Sequence, residues 1–326
     1  MTFGRDVLDI DCELVADEIV DALKRSVVRD LRRRGAVVGL SGGIDSSVTA
    51  ALCARAFGPE RAVALLMPEQ ESSGDTLDLS RSVVEATGMA SIHEDITPIL
   101  ESTGCYERRN EAVAALIPGF TDEWRWKIAL PGVVGSDAYR LFFIVAESPE
   151  GETTRVRLPA ETYLAIVAAT NFKQRVRKML EYYHADRLNF AVVGTPNRLE
   201  YDQGFFVKIG DGAADVKPIA HLYKTQVYRL AEHLGLPRAV RERTPTTDTY
   251  SLPQTQDEFF FSLPYEKMDL CLYAHNHGLP PEAVAGAVEL EPEDVTRVFR
   301  DIEQKRRTTR YLHLPPLLVE PVTEIG

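Results

Sequence analysis

Between Val37 and Ala51 the chain reads VVGLSGGIDSSVTAA: a short apolar run, paired glycines, hydroxyls at Ser41, Ser46 and Ser47, and one carboxylate at Asp45. A strand that ends in glycine and opens into a helix gathers unpaired N–H groups at the positive helix end. That is an anion site, suited to phosphate. Gly42 and Gly43 would let the backbone fold closely around such a group, while the serines add hydroxyl donors. The stretch lacks a Gly-Lys-Ser/Thr ending, so the phosphate loop of the common kinases and ATPases is excluded. Asp45 stands where its charge would repel a phosphate, and it makes sense there if it holds a Mg2+ that bridges to the phosphates. The other reading of the same residues is a tight turn in which Asp45 serves the free N–H groups of the first helical turn.

A second polar stretch runs from Val192 to Pro237. Thr195, Asn197 and Glu200 follow the apolar run NFAVVGT, at the strand end where open α/β sheets bind ligands. Glu200 could be a second carboxylate for the metal. The loop KIGDGAAD carries Lys208, Asp211 and Asp215, and Lys224 begins the helical stretch YKTQVYRLAEHLG. His275 and His277 are two apart with no third ligand near in sequence, which reads as a helix-end feature rather than a metal site.

The elements needed to hold these residues follow from periodicity. AVVGL, RAVALLMP, ASIHEDI and NFAVVGT read as short buried strands, and helical spacing appears in residues 11–31, in SSVTAALCARAFG, in DTLDLSRSVVEATG and from about Ala160 onward. Strands alternating with helices predict βαβ units and a doubly wound parallel sheet, an α/β fold. The rhythm breaks over 101–157, where RLFFIVAE and TTRVRL around SPEGE predict a β-hairpin in an inserted subdomain or flap. Trp124, Arg125 and Trp126 in this insertion are candidates to stack on or pair with a ligand.

With a formal net charge of −12 over 326 residues, the chain does not read as a coat for nucleic acid. The four cysteines, Cys12, Cys53, Cys105 and Cys271, form no CxxC pair, which argues against a zinc knuckle or a disulfide scaffold. No apolar run is long enough to span a bilayer, and the N-terminus shows early acids rather than a signal-peptide core, so the expectation is a cytoplasmic protein.

Taken in order, GLSGGIDSS, GTPNRLEYDQGFFVKIGDGAADVKP, LYKTQVYRLAEHLG and TPTTDTY closely resemble the NAD synthetase family, ATP pyrophosphatases of the N type, or PP-loop class. The resemblance spans nearly all of 36–310 apart from the interruption. It implies an adenine nucleotide alpha hydrolase-like, Rossmann-like fold in a single domain over 1–326, with 101–157 inserted in it. It also implies a reaction. The carboxylate of deamido-NAD attacks the α-phosphate of ATP, an acyl-adenylate forms, and ammonia displaces AMP. No glutaminase-like segment precedes the glycine turn, so the ammonia-dependent form is expected.

Carried over by motif, Gly39, Leu40, Ser41, Gly42, Gly43, Ile44, Asp45 and Ser46 would bind ATP, with Asp45 and Glu200 on Mg2+. Thr195, Lys224 and Thr246 would contact its phosphates or ribose, and Met67 its adenine through the backbone. Asp45 and Lys224 would act at the reacting centre. Arg175, Lys208, Asp215 and Lys305 would bind the dinucleotide acid. Family members are homodimers with the acid bound across the interface, which implies a dimer here. Two departures bear on the acid: Gln304 precedes Lys305 where the family often has His-Lys, and the short ammonia-dependent form lacks the insertion.

Three other readings compete. A related PP-loop ligase could amidate a different carboxylic acid. A tRNA-modifying thiolase is disfavoured by the absence of paired cysteines and by the acidic balance, and a nucleotide sensor without catalysis would have lost the metal carboxylates that Asp45 and Glu200 provide.

Overall fold

The computed structural model describes residues 3–130, 132–133, 141–246 and 249–324. Helix α1 (Cys12–Lys24) is started by Asp11, whose side chain accepts from the N–H groups of Glu13 and Leu14. The alternation read from sequence follows: β1 (Ala36–Gly39), α2 (Ile44–Phe57), β2 (Ala62–Leu66), α3 (Thr76–Thr87) and β3 (Ala90–His93). Next come α4 (Thr97–Ser102), α5 (Cys105–Ala114), β4 (Arg125–Ala129), β5 (Phe143–Glu147), β6 (Thr153–Arg157), α6 (Ala160–Leu188) and β7 (Ala191–Val192). The rest is helical: α7 (Arg198–Gln203), α8 (Lys224–His233), α9 (Arg238–Glu242), α10 (Tyr265–Asn276), α11 (Pro281–Val288) and α12 (Pro292–His313).

β3, β2, β1 and β7 lie side by side in that order, all parallel, with Val37 in register with Val63 and with Val192. Alternate residues of the strands serve two cores, which is why the strands read as unbroken apolar runs. Ala36 and Val38 pack with residues of α1, α2 and α8, whereas Val37, Val63, Leu65 and Val192 pack against α6 on the other face. Each fully buried side chain of this size contributes roughly 1.5–3 kcal/mol. β3 is the exposed edge, and it is short and polar, which discourages pairing with other chains.

The interrupting segment has two parts. Its first part, α5, packs along α6: the Cys105 thiol donates to Ala169 O at 3.3 Å, and Tyr106 shares a core with Val176. The second is an antiparallel sheet, β4-β5-β6, with its own core of Trp126, Ile128, Ile144, Ala146 and Ile166. The hairpin expected around Ser148–Glu152 is β5–β6, and β4 adds a third strand. The ligand-facing role expected for Trp126 is corrected by its burial. Trp126 is 1% exposed and lies 5.0 Å from the Tyr250 ring, so its indole is core. Arg125 pairs with Glu147 on the adjoining strand.

Cys53, Cys105 and Cys271 are buried free thiols, as their isolation in sequence predicts, and Cys12 is half-buried. Among the described residues no helix is long and apolar enough to cross a membrane.

Candidate active site

β1, β2 and β7 all point their C-terminal ends at one cleft of about 1060 Å³. The β1–α2 turn forms its floor. Gly42 has φ +71, and a Cβ there would lie 2.9 Å from Leu79 Cβ and 2.9 Å from Thr76 O. Only glycine meets both conditions, so Gly42 serves the packing of α3 against the turn. It is buried and does not line the cleft. Ser46 and Ser47 hydroxyls both donate to Gly43 O, at 3.0 and 2.7 Å. Ser47 is fully buried, so of the three serines only Ser41 and Ser46 face the cleft.

At the foot of the turn lies a closed group of charges. Asp45, in the first turn of α2, accepts from Lys224 Nζ and, at 2.9 Å, from Asn197 Nδ2. Asn197 also caps α7, accepting from the N–H groups of Leu199 and Glu200, while its own N–H donates to Glu200 Oε2 at 3.2 Å. This capping box fixes Glu200 beside Asp45. Gln256 Nε2 donates to the other Glu200 oxygen at 3.2 Å. Burial pushes the Glu200 carboxyl up to about 8, Asp45 adding to the rise and Lys224 opposing it. Burial also works against the charge of Lys224, yet Asp45 and Glu200 outweigh it and raise its pKa above the ordinary value. Lys224 is therefore a fixed cation. It is positioned from behind by Asp269 on α10, which accepts from the N–H groups of Lys224 and Thr225 and from the Thr225 hydroxyl.

Among the residues expected from sequence to hold the nucleotide, Gly39, Leu40, Ser41, Gly43, Ile44, Asp45, Ser46, Met67, Thr195, Lys224 and Thr246 line this one cleft, as does Glu200. Met67 O already accepts from Arg177 Nε at 3.3 Å. The residues expected to hold the acid divide. Lys305 lines the cleft, ion-paired with Asp301 at 2.7 Å and donating to Phe260 O. Arg175, Lys208 and Asp215 do not line it. Arg175 is exposed on α6 and reaches Lys208 O at 3.5 Å. Lys208 Nζ donates to the carbonyls of Tyr311 and Leu314, and Asp215 accepts from Val192 N.

Sequence reasoning missed three cleft features. Gln256 sits in SLPQTQDE, a stretch with no motif, and only the fold brings it to Glu200. Lys178 and Glu181 form a buried pair at 2.5 Å beside Gly39; their i,i+3 spacing on a helix was the available signal. Arg243, bonded to Ser73 and Thr76, closes the side nearest α3. The helix-end reading of His275 and His277 agrees with their contacts to Glu303 and to Tyr273 O.

Asp45 and Glu200 offer hard oxygen donors, and the raised pKa of Glu200 marks a place where another cation is favoured. Among the described residues no cluster of three or more His, Cys, Asp or Glu could enclose a metal by itself. The pair fits a Mg2+ that takes the rest of its shell from phosphate and water.

Comparison with known proteins points the same way. The chain is 56% identical to an NH(3)-dependent NAD(+) synthetase of Rhizobium meliloti over 325 residues, covering all of this chain and 97% of that one. A Thermotoga maritima enzyme of the same name is 33% identical over 297 residues, covering 90% of this chain and 96% of its own. The fold is that of the Campylobacter jejuni NH3-dependent NAD synthetase (TM-score 0.62, 22% identity, covering 95% of this chain and all of that one). It is equally that of an NMN synthetase from Francisella tularensis (TM-score 0.65, 21% identity, covering 96% and 100%). The NAD synthase family model matches residues 15–116 and 153–311, which takes in α5 and leaves out 117–152. With the glycine turn, the two carboxylates and the lysine gathered in one cleft, the chain belongs to the NAD synthase family.

Proposed function

We propose that this ligase amidates deamido-NAD with ammonia, using ATP and releasing AMP and pyrophosphate. The observation that carries the reading is the buried group of Asp45, Glu200 and Lys224 under a glycine turn without a phosphate-loop lysine. In the first step an oxygen of the acid's carboxylate bonds to the α-phosphorus, and the bond to the β-phosphate's bridging oxygen breaks. In the second, ammonia's nitrogen bonds to the acyl carbon, AMP leaves with the electron pair, and the nitrogen loses a proton.

The turn from Gly39 to Ser46 grips the β- and γ-phosphates that leave together. Thr195 and Thr246 would face them and Met67 would meet the adenine, a reading supported by all three lining the one cleft. Lys224, held cationic, opposes the charge that grows on the departing bridging oxygen, the kind of electrostatic stabilisation that dominates such reactions. Asp45 and Glu200 would hold Mg2+, which supplies further neutralisation of phosphate charge when bound. The attacking carboxylate is already ionised at neutral pH, so the first step needs no general base.

The acid would lie between two copies of the chain. α6 exposes Leu164, Met179 and Tyr183 at 63, 55 and 58%, on the helix that also presents Arg175. An apolar stripe of this kind on a charged helix suits burial against a second copy. In that homodimer Arg175, Lys208 and Asp215 would face the acid, with Lys305 reaching it from the cleft. The use of ATP as co-substrate supports a cytoplasmic location.

The second reading, a ligase for a different acid, draws on the shared fold of the Francisella tularensis NMN synthetase. Purified protein with ATP, Mg2+ and ammonia is offered deamido-NAD or the deamidated form of NMN, and nucleotides are separated by ion exchange. AMP, pyrophosphate and NAD in equal amounts are expected, with deamido-NAD preferred. ADP with inorganic phosphate, or turnover of the mononucleotide alone, would overturn the proposal. Glutamine in place of ammonia is expected to give no product.

A further inference from the structure

A segment of about a dozen residues with no regular secondary structure, flanked by ligand-binding residues, is ordinarily among the most mobile parts of an enzyme. Residues 244–246 and 249–255 form no regular helix or strand, and with Gln256 they give the cleft Thr244, Pro245, Thr246, Thr249, Tyr250 and Gln256. The described ends of this stretch are tied to each other, Thr246 bridging to Thr255 and Gln256 N donating to Pro245 O at 3.3 Å. What holds the outer part is the inserted sheet.

β4 is an edge strand, since its sheet runs β4-β5-β6. An edge leaves N–H and C=O groups to be satisfied. Here residues 250–254 satisfy them. Leu252 N donates to Trp126 O at 3.1 Å, and Trp126 N donates to the Ser251 hydroxyl at 2.9 Å. Gln254 Nε2 donates to Ile128 O at 2.7 Å, and Lys127 Nζ to Pro253 O. The rings of Trp126 and Tyr250 pack at 5.0 Å.

The same tie continues across the cleft. Arg109 lies 5.3 Å over the Trp126 ring and ion-pairs with Glu71 at 2.6 Å. Lys173, almost wholly buried, bonds Glu69 at 2.9 Å, Glu71 at 2.5 Å and Thr249 O at 3.2 Å. Glu69 and Glu71 lie just beyond Met67, at the adenine end. A continuous set of bonds thus joins the two ends of the nucleotide cleft through the insertion.

We infer that the inserted sheet is a brace for the ATP site: its edge strand β4 holds residues 249–256 in place before nucleotide binds, and Ser251 and Gln254 are its positioning residues. This gives the insertion a role other than that of a flap. The inference rests on the assignment of Thr246 and Glu200 to the nucleotide site, and the family model's gap at 117–152 makes it a feature added to the family's common plan.

The test uses the full chain with Ser251→Ala and Gln254→Ala combined. In hydrogen exchange without ligand, the amides of Leu252 and Gln256, which donate to Trp126 O and Pro245 O, are expected to be slow in the parent and at least about tenfold faster in the variant, while β1 and β2 are unchanged. The Michaelis constant for ATP should rise about tenfold, and that for the acid should stay within about twofold. Ser251→Thr alone keeps the hydroxyl and should behave as the parent. Arg155→Ala, on the far strand β6, should change neither constant. Fast exchange of these amides in the parent, or an effect confined to the acid, would overturn the brace. If deamido-NAD proves not to be the acid, exchange and calorimetric ATP binding still decide the brace by themselves.

Discussion

The cleft floor and the outer side of α6 carry the same kinds of residue, a lysine and carboxylates in one and arginine, lysine and aspartate in the other, yet they are built on opposite plans. On the floor the side chains of Lys224 and Asp45 are 3 and 14% exposed, and every charge has a partner in the same chain. At the outer side of α6, Arg175 is open to solvent, Lys208 donates to backbone carbonyls, and Asp215 accepts from Val192 N and from the Tyr182 hydroxyl. Burying charge is costly unless it is paired, so a closed group like the floor has to be complete within the folded chain. The outer face has no such demand. It can wait for a second surface, which is what a site shared between subunits requires.

The largest effects should come from opening the closed group. Asp45→Asn and Glu200→Gln are each expected to lower turnover by about two orders of magnitude or more with circular dichroism unchanged, since each removes a charge that would hold Mg2+. Near-parent rates in either variant would remove the floor from the chemistry. A smaller, one-sided effect is expected on the open face. Arg175→Ala should raise the Michaelis constant for the acid about tenfold and leave that for ATP alone. If ATP affinity falls instead, the two regions are not separate sites. Tyr183→Asp places a charge in the apolar stripe and should shift sedimentation from dimer toward monomer, with activity falling in parallel.

The finest prediction concerns pH. Burial pushes the Asp269 carboxyl from 3.8 up to about 7, against the donors on Lys224 and Thr225 that pull it down. Its folded value lies above its unfolded one, so between them the folded protein holds the extra proton. Stability contributed by this group is full below about 4 and is lost as pH rises to about 7, at no more than about 1.4 kcal/mol per pH unit. Urea midpoints for the parent and Asp269→Asn, compared across that range, should diverge in slope. Parallel slopes would show that Asp269 titrates as an ordinary exposed acid.

The parallel sheet was legible because burial on both faces turns each strand into an unbroken apolar run, as in Val37 and Val38 of β1. The nucleotide turn was legible for a different reason: its residues are contiguous, so one motif displays them together. β4 could have been read from the alternation Arg125, Trp126, Lys127, Ile128, in which only the second and fourth are buried, yet the tryptophans drew attention as ligand contacts instead. Gln256 and the ties of Ser251 and Gln254 to β4 had no signal, because they join positions far apart in the chain whose residue types are ordinary on any surface. Ser47 and Gly42 show the converse: a motif names its members without telling which face ligand and which hold the turn.

The contrast between a closed site and a shared one is tested most directly by mixing two impaired chains and assaying them at an acid concentration well below the parent's Michaelis constant, where each alone is at most about a tenth as active as the parent. Asp45→Asn spoils the floor and Arg175→Ala the outer face. If the outer face of one subunit serves the cleft of the other, random dimers from an equal mixture, exchanged through mild denaturant, include half that hold one site with both defects and one with neither. Activity should then return to about a quarter of the parent's. An activity in the mixture no greater than the mean of the two variants would contradict the account and place the acid within a single chain.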